Sequence, residues 1–458
     1  MKNLLMLLLF GFLRVTATGQ ELPLLTVSED QRYIVTQDKK PFFWLGGTAW
    51  ELIHRLTKEE IDLYLTDRAK KGFTVIQTVI LAELDGLNTP NAYGVKPLIN
   101  NDPLELNEKY FELVDYVVKK SAQFGLYVGL LPAWGDKFNK KWGAGPEIFN
   151  PQNAEKYGEL LADRYLSHNN IIWILGGDRV PENENHYAII RGLAKGIKKT
   201  DNRHLMTYHP AGGKKATDYF MNDPWLDLDM FQSGHSRMAK EYQYVTASKK
   251  SATKRPVING EARYENIPDR FWENKQDVWL DDADVRVSAY WSIMAGAAGY
   301  TYGCNDIWQM YETGKEPVIS ARTDWQAALQ LPGSSQMGYM KEIFELIPRQ
   351  RMQLDQSLIL NDNTENESYM LSAIDSGRQF IVAYTPTGNP VKVDLSKMKS
   401  EKIKAYWFNP RSGKIKYTGD FNTNSPHEFK PWSRGRGSDF LLILTAEDCR
   451  IDFEKLND

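Results

Sequence analysis

From residue 41 to residue 348 the chain repeats one alternation, and that alternation limits the possible fold more than any other feature. Short apolar, β-branched or aromatic runs are each followed by an amphipathic stretch. Eight runs read as strands: 41–48, 74–81, 126–131, 171–175, 205–208, 228–232, 256–259 and 299–303. The first four are nearly continuous in apolar residues, as parallel strands buried on both faces are. The stretches between them read as helices. Thr57 is placed as an N-cap, Glu60 completes a capping box, and Gly72 stops the helix. Residues 107–124 put Phe111, Val114, Val117 and Val118 on one side and end at Gly125. Similar helices are expected over 153–167, 185–199, 237–249, 283–295 and 336–347; the link between the fifth and sixth strands is the least regular. Eight strands alternating with helices over about 300 residues predict an α/β fold of the (β/α)8, or TIM, barrel type. A doubly wound open sheet would need fewer strands or a nucleotide-type glycine turn, and the chain has neither feature.

The pattern changes on both sides of this region. Residues 20–40 read as a β-hairpin that plugs the barrel bottom, with a turn over 37–40. Beyond Pro348, short strands at 357–360, 369–373, 379–384, 391–395, 404–408 and 440–444 are spaced about ten residues apart. They predict a small antiparallel β-sandwich. Residues 1–19 combine a basic start at Lys2, an apolar run from Leu4 to Leu13 and small residues at Ala17 and Gly19. That is the pattern of a secretory signal peptide. The expected division is therefore a leader (1–19), a barrel with its hairpin (20–349) and a C-terminal sandwich (350–458). The protein is expected outside the cytoplasm, in the periplasm or at the cell exterior.

Composition narrows the partners. Lys and Arg number 56 against 59 Asp and Glu, a balance with no footprint for nucleic acid. No later apolar run reaches ~18 residues, so no membrane span is expected. The chain has two cysteines, Cys304 and Cys449, and they read as lone buried thiols in different domains. No zinc-ligand spacing, P-loop or dinucleotide fingerprint is present, so neither metal nor cofactor is expected. A monomer is expected.

In a barrel of this type the chemistry sits where strands run into loops on the C-terminal face. The polar residues at those places are Trp50, Glu51 and His54 after strand one, Glu83 and Asp85 after two, and Trp134 and Asp136 after three. Asp178 and Arg179 follow strand four, His209 strand five and His235 strand six. Glu261, Arg263 and Glu265 follow strand seven, and Asn305, Asp306 and Trp308 strand eight. The ring is rich in carboxylates and tryptophan and has no activated Ser or Cys. Paired carboxylates between aromatic walls suit glycoside hydrolysis: one acid protonates the leaving oxygen, and a carboxylate attacks the anomeric carbon or activates water. Aromatic faces pack on the C–H faces of sugars, which gives the 12% aromatic content a use. Asp178 and Glu261 are the central pair, because each follows a strand that ends in glycine. The structural alternatives are a helix cap or an Arg179 ion pair for Asp178, and a salt bridge to Arg263 or Arg286 for Glu261. Trp50, Glu83, Asp85, Trp134, Asp136, His209, His235, Arg263, Asp306 and Trp308 are substrate-binding candidates. Each Trp has rim packing as its alternative, and each His a structural role.

These residues lie in segments that resemble the apiosidase-like glycoside hydrolases, glycoside hydrolase family 140 and its relatives. The segments include Pro41-Phe42-Phe43-Trp44-Leu45-Gly46 with Thr48-Ala49-Trp50, and Trp173-Ile174-Leu175-Gly176-Gly177-Asp178-Arg179. They continue through Tyr208-His209-Pro210, Ser233-Gly234-His235, Asn259-Gly260-Glu261 and Gly299-Tyr300-Thr301-Tyr302-Gly303 to Trp407-Phe408-Asn409-Pro410-Arg411-Ser412-Gly413. Gly47 stands where relatives often have Asp, and Ala262 where Pro is common. The resemblance implies a barrel followed by a module labelled collagen-binding, here expected to be structural. It also implies a retaining mechanism with Glu261 as nucleophile and Asp178 as acid/base. The implied substrate is a plant cell-wall glycan, with apiose release from the pectin rhamnogalacturonan II as the leading activity. An endo-β-glycanase of cellulase or mannanase type and a non-catalytic glycan- or matrix-binding protein are the competing readings.

Overall fold

The structure is a computed structural model and describes residues 21–251, 253–273 and 277–456. The expected leader lies outside the described residues. Eight parallel strands form the barrel: β1 (Trp44–Thr48), β2 (Val75–Leu81), β3 (Tyr127–Ala133), β4 (Ile171–Gly176), β5 (Met206–His209), β6 (Asp229–Gln232), β7 (Val257–Glu261) and β8 (Gly299–Cys304). Every residue in all eight is buried, which is why the sequence shows apolar runs rather than a clean alternation. The ladder runs β5-β4-β3-β2-β1-β8-β7-β6. The remaining gap is bridged by Asp227 N–H to Met206 O (2.9 Å) and Thr207 Oγ1 to Leu228 O (2.8 Å). Between β5 and β6, where the sequence is irregular, lie the two-residue strand Lys214–Lys215 and the helical turn Thr217–Phe220.

The helices between strands bury one face each. Lys58–Lys70 starts at the Thr57/Glu60 capping box. Glu241–Lys249 begins four residues later than periodicity predicts, because Arg237 is taken up by a two-pronged bond to Asp284 (2.8 and 2.9 Å). Inside the barrel a polar chain ties four strands together. Trp44 Nε1 donates to Thr301 Oγ1 (3.1 Å), Thr301 Oγ1 to Gln77 Oε1 (3.0 Å), and Gln77 Nε2 to the carbonyl of Gly260 (2.9 Å). The last bond holds the backbone next to Glu261.

At the N-terminus Leu25–Val27, Ile34–Thr36 and Pro41–Phe42 form a three-stranded antiparallel sheet. Leu25, Tyr33 and Ile34 pack in one cluster with residues at the starts of the barrel strands, among them Trp44, Val75, Tyr127 and Ile172. The sheet therefore covers the barrel bottom.

The C-terminal region is a six-stranded antiparallel sheet with a two-stranded companion, Val391–Val393 and His427–Phe429. The larger sheet orders Met352–Leu354, Leu371–Asp375, Phe380–Thr385, Phe440–Ala446, Lys402–Asn409 and Lys414–Asn422. Two sequence expectations change. Residues 357–360 are not a strand: Asp355 caps a 3-10 turn over Gln356–Leu358 by accepting from Ser357 N–H. Lys414–Asn422 is an edge strand whose side chains are mostly solvent-facing, so its apolar signal is confined to Ile415, Tyr417 and Phe421. The sheet is fastened to the barrel by Arg286, which is 1% exposed and pairs with the equally buried Asp439 (2.9 Å). Tyr290 stacks on Tyr384 beside this pair at 4.7 Å. Both cysteines are free; Cys304 is buried as expected, while Cys449 is only half-buried.

Candidate active site

Strand β4 ends in Gly176 and Gly177 with φ of 94° and 103°. A Cβ on Gly176 would lie 2.5 Å from the His209 carbonyl, and one on Gly177 would lie 2.9 Å from Gly135 N and from the Trp134 ring. Only glycine fits this tight exit. It delivers Asp178 in the left-handed region (φ 51°), held there by a backbone N–H bond to His209 Nδ1 (3.2 Å). On β7 a register shift opposite Phe231 and Gln232 brings Glu261 level with Gln232. The strand then breaks and resumes at Tyr264–Glu265 against β8. Such a bulge re-aims side chains, and here it turns Glu261 toward the barrel mouth.

The two carboxyls meet different environments. His209 Nδ1 accepts the Asp178 N–H, so its proton sits on Nε2, 3.0 Å from Glu261 Oε2. His235 Nε2 lies 3.2 Å from the other oxygen, Oε1. Burial is the strongest single influence on Glu261 and raises its pKa, but the two imidazoles together outweigh it and hold the group down to about 2. Asp178 goes the other way. Burial first, then the charge of Glu261, push it up to about 6 against the pull of His209 and Arg179. Arg179 is 3.6 Å from Asp178 Oδ2, yet it spends its donors on the carbonyls of Asp178, Asn139 and Lys140. The cap of the next helix is Asn183, not Asp178. Neither Arg263 nor Arg286 pairs with Glu261: Arg263 binds Glu241 and Arg286 binds Asp439.

Both carboxyls open on a cavity of about 860 Å³. Of the expected residues, Trp50, Glu83, Trp134, His235 and Trp308 also line it, while His209 is fully buried behind Glu261. Trp50 stacks near Trp134 (5.2 Å) and edge-on to His209 (5.3 Å), making an aromatic floor. Glu83 sits well above the carboxylate range, through burial first and then the charges of Asp178, Glu51 and Asp136.

Four expected contacts are corrected by the geometry. Asp85 turns into its own loop and accepts from Asn88 Nδ2 (2.7 Å) and Thr89 Oγ1 (3.0 Å). Asp136 is fully buried on Lys137 Nζ (2.6 Å) and Gly145 N–H (2.8 Å). Arg263 forms a two-pronged bond to Glu241 and covers Trp291. Asp306 accepts from Arg322 N–H (2.8 Å), Thr323 N–H (3.0 Å) and Asn266 Nδ2 (2.6 Å). Each follows a strand as required, but each satisfies its charge or donors within the protein instead of at the cavity.

The sequence reading missed other lining residues. Tyr264 accepts from Trp50 Nε1 (3.2 Å) and is raised well above its usual range by burial first and then by the charge of Glu261. Its place three residues after Glu261, on the resumed strand, was a usable signal. Trp142 (64% exposed) and Trp272 (55% exposed) are the two open aromatic walls, and Trp142 lies over Arg179 at 4.0 Å. Both stand in loops with no periodic pattern to mark them. Trp134 and Gln232 line the cavity, and the buried Trp134 Nε1 and Gln232 Oε1 have no partner within the protein. Among the described residues no cluster of three or more His, Cys, Asp or Glu is arranged to hold a metal ion. No helix among them is long and apolar enough to cross a membrane.

Residues 28–350 match the family profile described as "Apiosidase-like, catalytic domain". Residues 354–445 match one described as "Putative collagen-binding domain of a collagenase". A solved structure described as a glycoside hydrolase is 33% identical, with a TM-score of 0.86 over 94% of this chain and 98% of its own. A glycoside hydrolase family 5 protein from Bacteroides vulgatus ATCC 8482 is 31% identical, with a TM-score of 0.86 over 94% and 96%. No curated protein matches the chain.

Proposed function

The chain belongs to the apiosidase-like family and is a glycoside hydrolase; from that premise we propose that it is a retaining enzyme with Glu261 as nucleophile and Asp178 as acid/base. The observation that carries the two roles is the divergence of the two carboxyls within one cavity; the retaining course is proposed from the family resemblance. Glu261 is held ionised by two imidazoles, and Asp178 is held protonated up to about pH 6 by burial and by the Glu261 charge. Two carboxyls whose environments push their pKa values apart mark the acid and the base.

In the first step the Glu261 carboxylate attacks the anomeric carbon. The bond from that carbon to the leaving oxygen breaks, and the Asp178 proton passes to that oxygen. In the second step water gives a proton to Asp178 while its oxygen displaces Glu261 from the anomeric carbon. His209 keeps Glu261 oriented, and its tautomer is set by the Asp178 backbone. Tyr264 is suited to follow the change in charge on Glu261. Trp50, Trp134 and Trp308 line the cavity where a sugar would pack, and Glu83, whose carboxyl burial and neighbouring charges push up, is placed to meet a hydroxyl.

The substrate we propose is a plant cell-wall glycan, with apiosyl side chains of pectin first. We further propose that the protein is exported, acts as a monomer, and uses its C-terminal sheet as a rigid support for the barrel; the buried Arg286–Asp439 pair supports that last role. The test is Asp178→Ala on a panel of plant glycans, and on aryl glycosides whose leaving group departs without an acid, each with and without azide. Loss of sugar release from the glycans, and formation of a glycosyl azide of retained configuration from an aryl glycoside when azide is present, is the expected result. Unchanged turnover by Asp178→Ala or Glu261→Ala would remove the assignment.

A further inference from the structure

One contiguous part of the cavity lining is carbon alone: Ile267, Phe271, Val318 and Ile319, packed on the cluster that contains Trp308 and Tyr264. Ile319 is β-branched and has φ 49° and ψ 45°. That is the left-handed region, a strained place for a branched side chain. Ser320 follows at φ 56°. Glycine or asparagine would sit at position 319 with less backbone strain, so isoleucine is kept there for what its side chain touches: the cluster behind it and the cavity in front.

The strained segment is clamped by three fully buried side chains at the end of β8. Asn305 Nδ2 donates to Ile319 O (2.8 Å). Gln309 accepts from Val318 N–H and donates to Val318 O, both at 2.9 Å. Asp306 receives the N–H groups of Arg322 and Thr323 just beyond. Asp306, which the barrel pattern offers as a substrate contact, thus joins Asn305 and Gln309 in fixing the backbone that carries Val318 and Ile319.

We propose that Val318 and Ile319 form a specificity wall that receives a methyl-bearing face of the substrate, namely a methyl ether, an acetyl ester or a 6-deoxy methyl group. The inference rests on the glycosidase reading of the cavity. Aromatic rings accept the C–H face of an ordinary sugar, with hydroxyls pointing sideways. A wall of aliphatic groups offers no hydrogen bond, so a hydroxyl pressed against it loses its water and finds no partner. A methyl group in the same place is desolvated favourably. In a fitted pocket this difference amounts to a preference of about tenfold or more.

The test is binding rather than turnover, read by the fluorescence of the five cavity tryptophans (Trp50, Trp134, Trp142, Trp272 and Trp308). The probes are sugar pairs that differ by one such group: L-rhamnose with L-mannose, L-fucose with L-galactose, 3-O-methyl-D-glucose with D-glucose, and 6-O-acetyl-D-glucose with D-glucose. The arms separate deoxy, ether and ester sources. The wild type is expected to prefer the methyl-bearing member of at least one pair by about tenfold. Ile319→Gly is expected to abolish that preference while the protein stays folded by circular dichroism, because the backbone strain it releases offsets the packing it loses. Ile319→Asn, which tolerates the same backbone, is expected to move the preference toward the hydroxyl member. A preference that survives in Ile319→Gly, or a wild type with no preference in any pair, would each overturn the proposal. Methyl-selective binding with no cleavage of any glycan would count against the hydrolytic reading alone.

Discussion

Replacing Asp178 with asparagine should stabilise this protein at pH 7.5 and leave its stability unchanged near pH 3. Asp178 is raised from an ordinary 3.8 to about 6, and its side chain keeps only 23% exposure. Between those two pH values the folded protein holds a proton that the unfolded chain has released. Stability therefore falls as pH rises through this window, by up to ~3 kcal/mol, and stays lower above it. Asparagine fills the same space and cannot ionise, so Asp178→Asn escapes the loss. Glu261 has the opposite sign. Its carboxyl is lowered from 4.5 to about 2, so it adds stability above pH 4.5 that disappears as pH falls toward 2. Glu261→Gln should therefore cost up to ~3 kcal/mol at neutral pH, less the relief Asp178 gains when the neighbouring charge is removed. Guanidinium unfolding of both variants and the wild type, at several values between pH 3 and 8, measures the differences directly. A gain for Asp178→Asn that is the same at every pH, or no gain at pH 7.5, would refute the electrostatic account of the pair.

Four further outcomes follow from the geometry. The rate kcat/KM should fall as pH rises through about 6, where Asp178 loses its proton, and the acid limb should lie near pH 2, where Glu261 gains one; a plateau across pH 5–8 would contradict this. Glu83→Gln, which copies the neutral acid, should keep most of the activity that Glu83→Ala loses, as comparison of their kcat/KM values would show. Gly177→Ala should cut activity by at least about tenfold, because its Cβ would strike Gly135 N and the Trp134 ring and displace Asp178; the measurement is kcat/KM alongside circular dichroism. Asp439→Ala should destabilise the protein by ~3–5 kcal/mol in guanidinium unfolding, since it leaves Arg286 buried at 1% exposure without its main partner.

The barrel was legible because its strands are buried on both faces. Continuous runs such as 171–175 need no partner to be recognised, and Gly176-Gly177-Asp178 and Gly260-Glu261 mark their mouths. The C-terminal sheet was less legible. Lys414–Asn422 pairs through its backbone while most of its side chains face water, and backbone pairing leaves no trace in side-chain pattern. At the site, strand-end position was a sound guide to which residues lie near the mouth, but not to which of them reach the cavity. Asp136 and Asp306 stand on the correct face and are consumed by Lys137 and by the loop beyond β8. Trp142, Trp272 and Ile319 line the cavity from loops whose spacing says nothing about where they fold back.

By itself, then, the amino-acid sequence determined the order of elements, the parallel barrel and the identity of the two central carboxylates, because burial and tight exits constrain local residue choice. Tertiary structure alone decided which of the two is held charged. That difference comes from His209 and His235, which arrive from two other strands, and from the Asp178 backbone, which sets the proton position on His209. Charge states depend on neighbours in space, and those neighbours exist only after the barrel has closed.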